Sequence, residues 1–89
     1  MAQVVWTGGA LVELDLIRIY IAIFDRVAAE RLAARLIATA ENLCDFPNRG
    51  RPAGDGKREL ATIRPYVIRY DVRGETVFIL SIKHGAQRR

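Results

Sequence analysis

The segment Phe46-Pro47-Asn48-Arg49-Gly50-Arg51-Pro52 divides this 89-residue chain into two halves with different hydrophobic periods. Before it, apolar residues recur at helical spacing. After it, they alternate or run together in stretches of strand length. The residue ahead of a proline avoids helical backbone, so the helical half must end before Pro47. Helices first and strands after predict one α+β domain spanning residues 1–89. A chain this short buries a modest share of its surface, which makes a partner or an oligomer a natural expectation.

Gln3-Val4-Val5-Trp6 reads as an opening strand, and Thr7 as the N-cap of the helix that follows. From Ala10 to Phe24 the period is helical. Ala10, Leu14, Ile17, Ile21 and Phe24 form one apolar stripe, expected to pack on the sheet. Val12, Leu16, Ile19 and Ile23 form a second, nearly opposite. Either the neighbouring helix covers this second stripe, or it waits for a partner. Asp25 stops the first helix and caps the next, which is expected over Arg26–Asp45 with Ala29, Leu32, Leu36, Ala40 and Leu43 inward. The tight Phe24-Asp25-Arg26 junction makes the pair an antiparallel helical hairpin, and Ala28, Ala29, Ala33 and Ala40 permit close approach.

Asn48 to Lys57 reads as a loop. Three strand segments follow: Arg58-Glu59-Leu60, Tyr66 to Val72 and Val77 to Gly85, which predict a three-stranded antiparallel sheet. Arg64-Pro65 and Arg73-Gly74-Glu75 are the turns between them. Tyr66, Ile68, Tyr70 and Val72 should face the core. Arg69 should point outward beside Asp71, with a cross-strand ion pair as its ordinary role. Val77 to Ile82 is apolar on both faces and reads as a central strand.

The formal charge of +4 is uneven: residues 1–48 carry −2 and residues 49–89 carry +6. The sheet half therefore suits an anionic partner. The single Cys44 excludes an intramolecular disulfide, and one cysteine with one histidine argues against a zinc site. No cofactor is expected. Met1-Ala2-Gln3 lacks the basic start of a signal peptide and no run is long enough to span a membrane, so a reducing cytoplasmic location is expected. Gly50, Gly54 and Gly56 do not have phosphate-loop spacing. Ser81 and His84 should point to opposite faces of a strand. A catalytic reading rests on RNA cleavage by a basic set drawn from Arg58, Arg64, Arg69, Lys83 and His84. The ordinary alternative for His84 is a surface residue at a strand end. Cys44, Trp6 and Tyr20 are expected in the core.

The chain resembles the RelE/ParE superfamily of bacterial toxins, and ParE within it. The resemblance runs from Ala10, Leu14, Ile17, Tyr20 and Ile21 in the first helix, through Ala29 and Leu32 in the second, to the junction Leu43 to Pro52. It continues in Arg58-Glu59-Leu60, Tyr66 to Tyr70 and Val77 to Gly85. It implies a strand, a helical hairpin and a three-stranded sheet. It also implies a ParD-like antitoxin that wraps a helical, partly acidic tail around the toxin and itself binds DNA, so that the toxin meets DNA through it. The antitoxin surface implied here is Val12, Leu16, Ile19 and Ile23 with Arg58 and Arg69. ParE-like action implies DNA gyrase as target, with Lys83, His84, Arg88 and Arg89 as the contact surface. RelE-like action implies cleavage of mRNA on the ribosome, with Arg64 and His84 as its residues here. The RelE-like pattern expects an arginine two or three positions before Tyr70, where this chain has Val67 and Ile68. It also expects an aromatic near the C-terminus, where His84 is followed by Gly85-Ala86-Gln87. Those departures favour the gyrase-directed branch. A plain basic nucleic-acid-binding module is the third alternative.

Overall fold

Two side-chain caps decide where the helices begin. In the computed structural model, which describes residues 3–85, the Thr7 hydroxyl accepts the Ala10 N–H at 3.3 Å. The Asp25 carboxylate accepts the Ala28 N–H at 3.0 Å. Each satisfies an N–H that the first turn of a helix leaves without a partner. Helix α1 spans Gly8–Ala22 and α2 spans Arg26–Glu41, and a 3-10 turn over Asn42–Cys44 finishes the helical half. The helical hairpin is as expected. Arg18 of α1 ties it, reaching Glu30 of α2 at 3.3 Å. Of the inward stripe read from the sequence, Ala29, Leu36, Ala40 and Leu43 are buried and Leu32 is half-buried, and Ala33, expected among the small residues of close approach, is buried too.

The strands are β1 (Gln3–Trp6), β2 (Arg51–Pro52), β3 (Lys57–Leu60), β4 (Tyr66–Arg73) and β5 (Thr76–His84). They form one sheet in the order β1-β5-β4-β3-β2. The three antiparallel strands β3, β4 and β5 are those expected. Two edges extend them. Strand β1 lies parallel to β5, from Gln3 opposite Thr76 to Trp6 opposite Ile79. Strand β2 falls inside the segment read as a loop, with Arg51 opposite Glu59. The central position expected for the last strand is correct, since β5 lies between β1 and β4. A register shift between Arg69 and Tyr70 leaves Leu80 as an extra residue in β5.

Both helices cover one face of the sheet. Between them lie Ile68, Tyr70, Val77, Ile79 and Ile82, with Val4, Trp6, Tyr66 and Val72 packed at the margin. Two aromatic residues depart from expectation. Phe24, placed on the inward stripe, is 73 % exposed, and Tyr20, expected in the core, is 61 % exposed. The helix ends at Ala22, so Phe24 leaves the stripe, and the two rings meet each other edge to face at 5.5 Å instead. Cys44 is half-buried.

The junction between the halves is fastened to the sheet. The Gly50 N–H donates to the Tyr70 hydroxyl at 2.7 Å, which in turn donates to the Pro47 carbonyl at 2.8 Å. Arg58 donates to the Gly50 carbonyl at 2.6 Å. Among the described residues, no helix is long and apolar enough to cross a membrane.

Candidate functional site

The second stripe of α1 is uncovered. Val12, Leu16, Ile19 and Ile23 are all exposed, together with Leu11, Tyr20 and Phe24 on the same helix and its exit. The reason lies in the layer count. One helix surface packs on the sheet and another on α2, and no further element exists among the described residues to cover the rest. An apolar strip of this size on a small domain marks an interaction surface.

The strip borders a groove where α1 meets the end of β5. Leu16, Ile17 and Tyr20 form one wall, and Tyr66, Ile82 and His84 the other. Glu13 stands at its edge. One carboxylate oxygen accepts the Ile82 N–H at 3.0 Å, and the other pairs with the Lys83 ammonium. Strand β1 accompanies β5 only as far as Ile79. Beyond that point Glu13 takes the place of a neighbouring strand. Sequence reasoning missed Glu13, because nothing local to α1 shows that β1 ends early. The His84 ring meets Tyr66 edge to face at 6.0 Å.

The residues singled out from the sequence thus fall into three places. Leu16, Lys83 and His84, read as belonging to two separate surfaces, line one groove. Arg64 belongs to the same end of the sheet, because the Gly85 N–H donates to the Pro65 carbonyl at 2.7 Å. Arg58 faces the helix side, opposite Tyr70 in register, and holds the junction. Arg69 faces the opposite side, where no described helix packs, and donates to Glu59 at 2.9 Å. Its ion pair is cross-strand, as expected, with Glu59 of β3 as the partner. Arg58 and Arg69 are therefore separate from the α1 strip. Arg88 and Arg89 lie outside the described residues.

Asp71 pairs with Arg73 at 2.8 Å. The hydrogen bond from Arg73 holds the Asp71 carboxyl below the usual aspartate range, against burial that pushes it up and with help from Lys57. A depressed pKa means that the folded state gains stability above the range where an unfolded aspartate titrates. That gain is lost as the pH falls through the folded-state pKa. Arg73→Gln should raise the Asp71 pKa toward the ordinary value, as read by carboxyl-carbon NMR titration; an unmoved titration would remove Arg73 as the cause. The Cys44 thiol is pushed up by burial and by Asp45, which disfavours a thiolate nucleophile. Among the described residues no group of three or more His, Cys, Asp or Glu is placed to hold a metal ion.

Residues 4–89 match the family described as the ParE toxin of the type II toxin–antitoxin system parDE. The chain belongs to the ParE toxin family. Two curated relatives come from Caulobacter vibrioides. Toxin RelE2 is 49 % identical over 98 % of this chain and 99 % of its own length. Toxin RelE1 is 38 % identical over 73 % of each. A solved structure of the chromosomal ParDE toxin–antitoxin system from P. aeruginosa superposes with a TM-score of 0.81 at 26 % identity. It covers 94 % of this chain and 96 % of the matched one. The fold expected from the resemblance is thus present in this ParE-family toxin, and the opening strand, hairpin and sheet correspond across almost the whole chain.

Proposed function

We propose that this toxin arrests growth by acting on DNA gyrase, and that a ParD-like antitoxin neutralises it by seating an amphipathic segment along α1. The observation that carries the reading is the uncovered strip Val12, Leu16, Ile19 and Ile23 beside the groove that holds Lys83 and His84. A docked amphipathic helix presents apolar anchors at i, i+3, i+4 and i+7 spacing, and the strip, at i, i+4, i+7 and i+11 along α1, offers them a continuous apolar surface. Acidic residues on such a segment would meet Lys83. An antitoxin seated there covers Lys83 and His84, so inhibition follows from occlusion of the target surface.

The gyrase branch is favoured over ribosome-dependent cleavage by what replaces the expected cation. Val67 is buried, opposite Lys83 in register, and brings no charge to the sheet where the RelE-like pattern places an arginine. A missing cation at a phosphoryl-transfer site costs several kcal/mol of barrier, about a hundredfold or more in rate. A surface-acting toxin needs no such group. Purified toxin added to a gyrase supercoiling reaction should abolish supercoiling or trap cleaved DNA, with mRNA on ribosomes intact. Deleting Gln87-Arg88-Arg89 should weaken that inhibition and preserve the circular dichroism spectrum. Cut mRNA with normal supercoiling would transfer the function to the ribonuclease branch, with Arg64 and His84 as the residues to replace.

A further inference from the structure

The sheet face turned away from the helices has its own charge pattern. Glu59 of β3 is buried to 7 % exposure and is shared by two arginines. Arg69 on β4 approaches at 2.9 Å, and Arg51 on β2 at 3.9 Å. Asp71 of β4 repeats the arrangement. It pairs with Arg73, and Lys57, opposite it in register, adds a second positive field. The acids lie beneath, while the Arg51 and Arg73 side chains stand 67 % and 74 % exposed. Each buried carboxylate orients cations above it and leaves one positive charge in surplus. A partner meeting this face therefore meets oriented guanidinium groups.

We propose that this face binds the phosphodiester backbone of duplex DNA, independently of base sequence, through Arg51, Lys57, Arg69 and Arg73. Guanidinium groups fixed by a carboxylate lose little rotamer freedom on binding a second anion, and their remaining N–H donors match phosphate oxygens. A protein interface needs apolar anchors at its centre, and the outward residues of β2, β3 and the second half of β4 are charged. Binding of single strands needs exposed aromatic rings for stacking, and Phe78, the aromatic opposite Asp71 on this face, is half-buried. What remains is electrostatic contact with a duplex backbone. The choice of DNA over RNA rests on the gyrase reading above. The face lies on the opposite side of the sheet from the α1 strip, so it stays open when an antitoxin occupies α1. DNA contact would then be direct, beyond what an antitoxin supplies.

The test is fluorescence anisotropy of a labelled mixed-sequence DNA duplex with purified toxin between about 50 and 200 mM salt. Wild type should show a plot of log K against log salt with a slope of about −2 to −4, each contacted phosphate contributing about 0.9. Arg51→Gln with Arg73→Gln should move the slope toward zero by about 2. Arg31→Gln with Arg35→Gln on α2 changes net charge equally and should leave it unchanged. Both double variants replace exposed side chains, and unchanged circular dichroism spectra at the assay temperature confirm intact folds, since loss of the Arg73–Asp71 pair by itself lowers the melting temperature. Equal losses in the two variants would overturn the assignment to this face, as would tighter binding of polyglutamate than of duplex. Supercoiling inhibition is scored separately. Duplex binding without gyrase inhibition would retain this face and remove the target reading, whereas inhibition without salt-dependent duplex binding would remove the face alone.

Discussion

Toxin carrying Leu16→Glu and Ile19→Glu should lose a ParD-like antitoxin by at least about a hundredfold in affinity while melting at nearly the same temperature as wild type. The argument rests on where the two side chains spend their exposure. In the free toxin Leu16 is 59 % and Ile19 48 % exposed, so neither contributes much to the core. Exposed substitutions of this kind change stability by about 0.5 kcal/mol or less. Under a bound helix both would be covered. Full burial of one such side chain is worth about 1.5–3 kcal/mol, and a carboxylate trapped there without a partner adds a desolvation cost. A loss of about 2.7 kcal/mol already corresponds to a hundredfold. Arg31→Glu, on the exposed side of α2, is the matched control and should change affinity severalfold at most. Titration calorimetry with the cognate antitoxin decides it, and equal effects of the two changes would sink the assignment of the strip. In cells the double variant should remain toxic when antitoxin is co-expressed.

Tyr70→Phe should cost about 2–4 kcal/mol of folding stability. Tyr70 is fully buried, and its hydroxyl bonds to the junction twice, accepting from Gly50 and donating to Pro47. Phenylalanine fills the same volume. It leaves one N–H and one carbonyl without their partner, each worth about 1–3 kcal/mol when buried and unpaired. A domain of this size loses about 4–8 °C of melting temperature per kcal/mol, so a fall of at least about 8 °C is expected. Gly50→Ala approaches the same contact from the other side. A Cβ there would sit 2.7 Å from the Tyr70 hydroxyl and 2.8 Å from the Glu59 carbonyl. The second neighbour is strand backbone and cannot swing away, so this variant should be destabilised at least as much. Denaturant unfolding followed by circular dichroism measures both. Stability within about 0.5 kcal/mol of wild type for Tyr70→Phe would show that the junction does not depend on the hydroxyl.

The two experiments probe opposite parts of the chain's legibility. Leu16 and Ile19 announce themselves by spacing alone, since an α-helix must place them together on one face. Whether that face is covered is a question of how many layers the domain has. The Tyr70 lock was half legible: alternation along β4 turns the ring inward, but nothing in the local pattern directs its hydroxyl to Pro47 and Gly50. Glu13 was not legible at all. Its role depends on β1 stopping at Trp6 while β5 continues, a pairing between residues more than seventy positions apart.

By itself, the sequence determined the local structure of this toxin: caps at Thr7 and Asp25, helical stripes, a stop before Pro47, alternation in β4 and a basic second half. Each is governed by forces that act within a few residues, namely unpaired N–H groups, restricted backbone and the two side-chain periods. The tertiary structure alone decided that β1 joins β5 in parallel, that Arg58 and Arg69 face opposite sides, that Leu16 shares a groove with Lys83 and His84, and that Glu59 and Asp71 lie beneath paired cations. Those outcomes depend on strand order, register and a bulge, which are set by packing between distant segments and leave no mark on neighbouring residues.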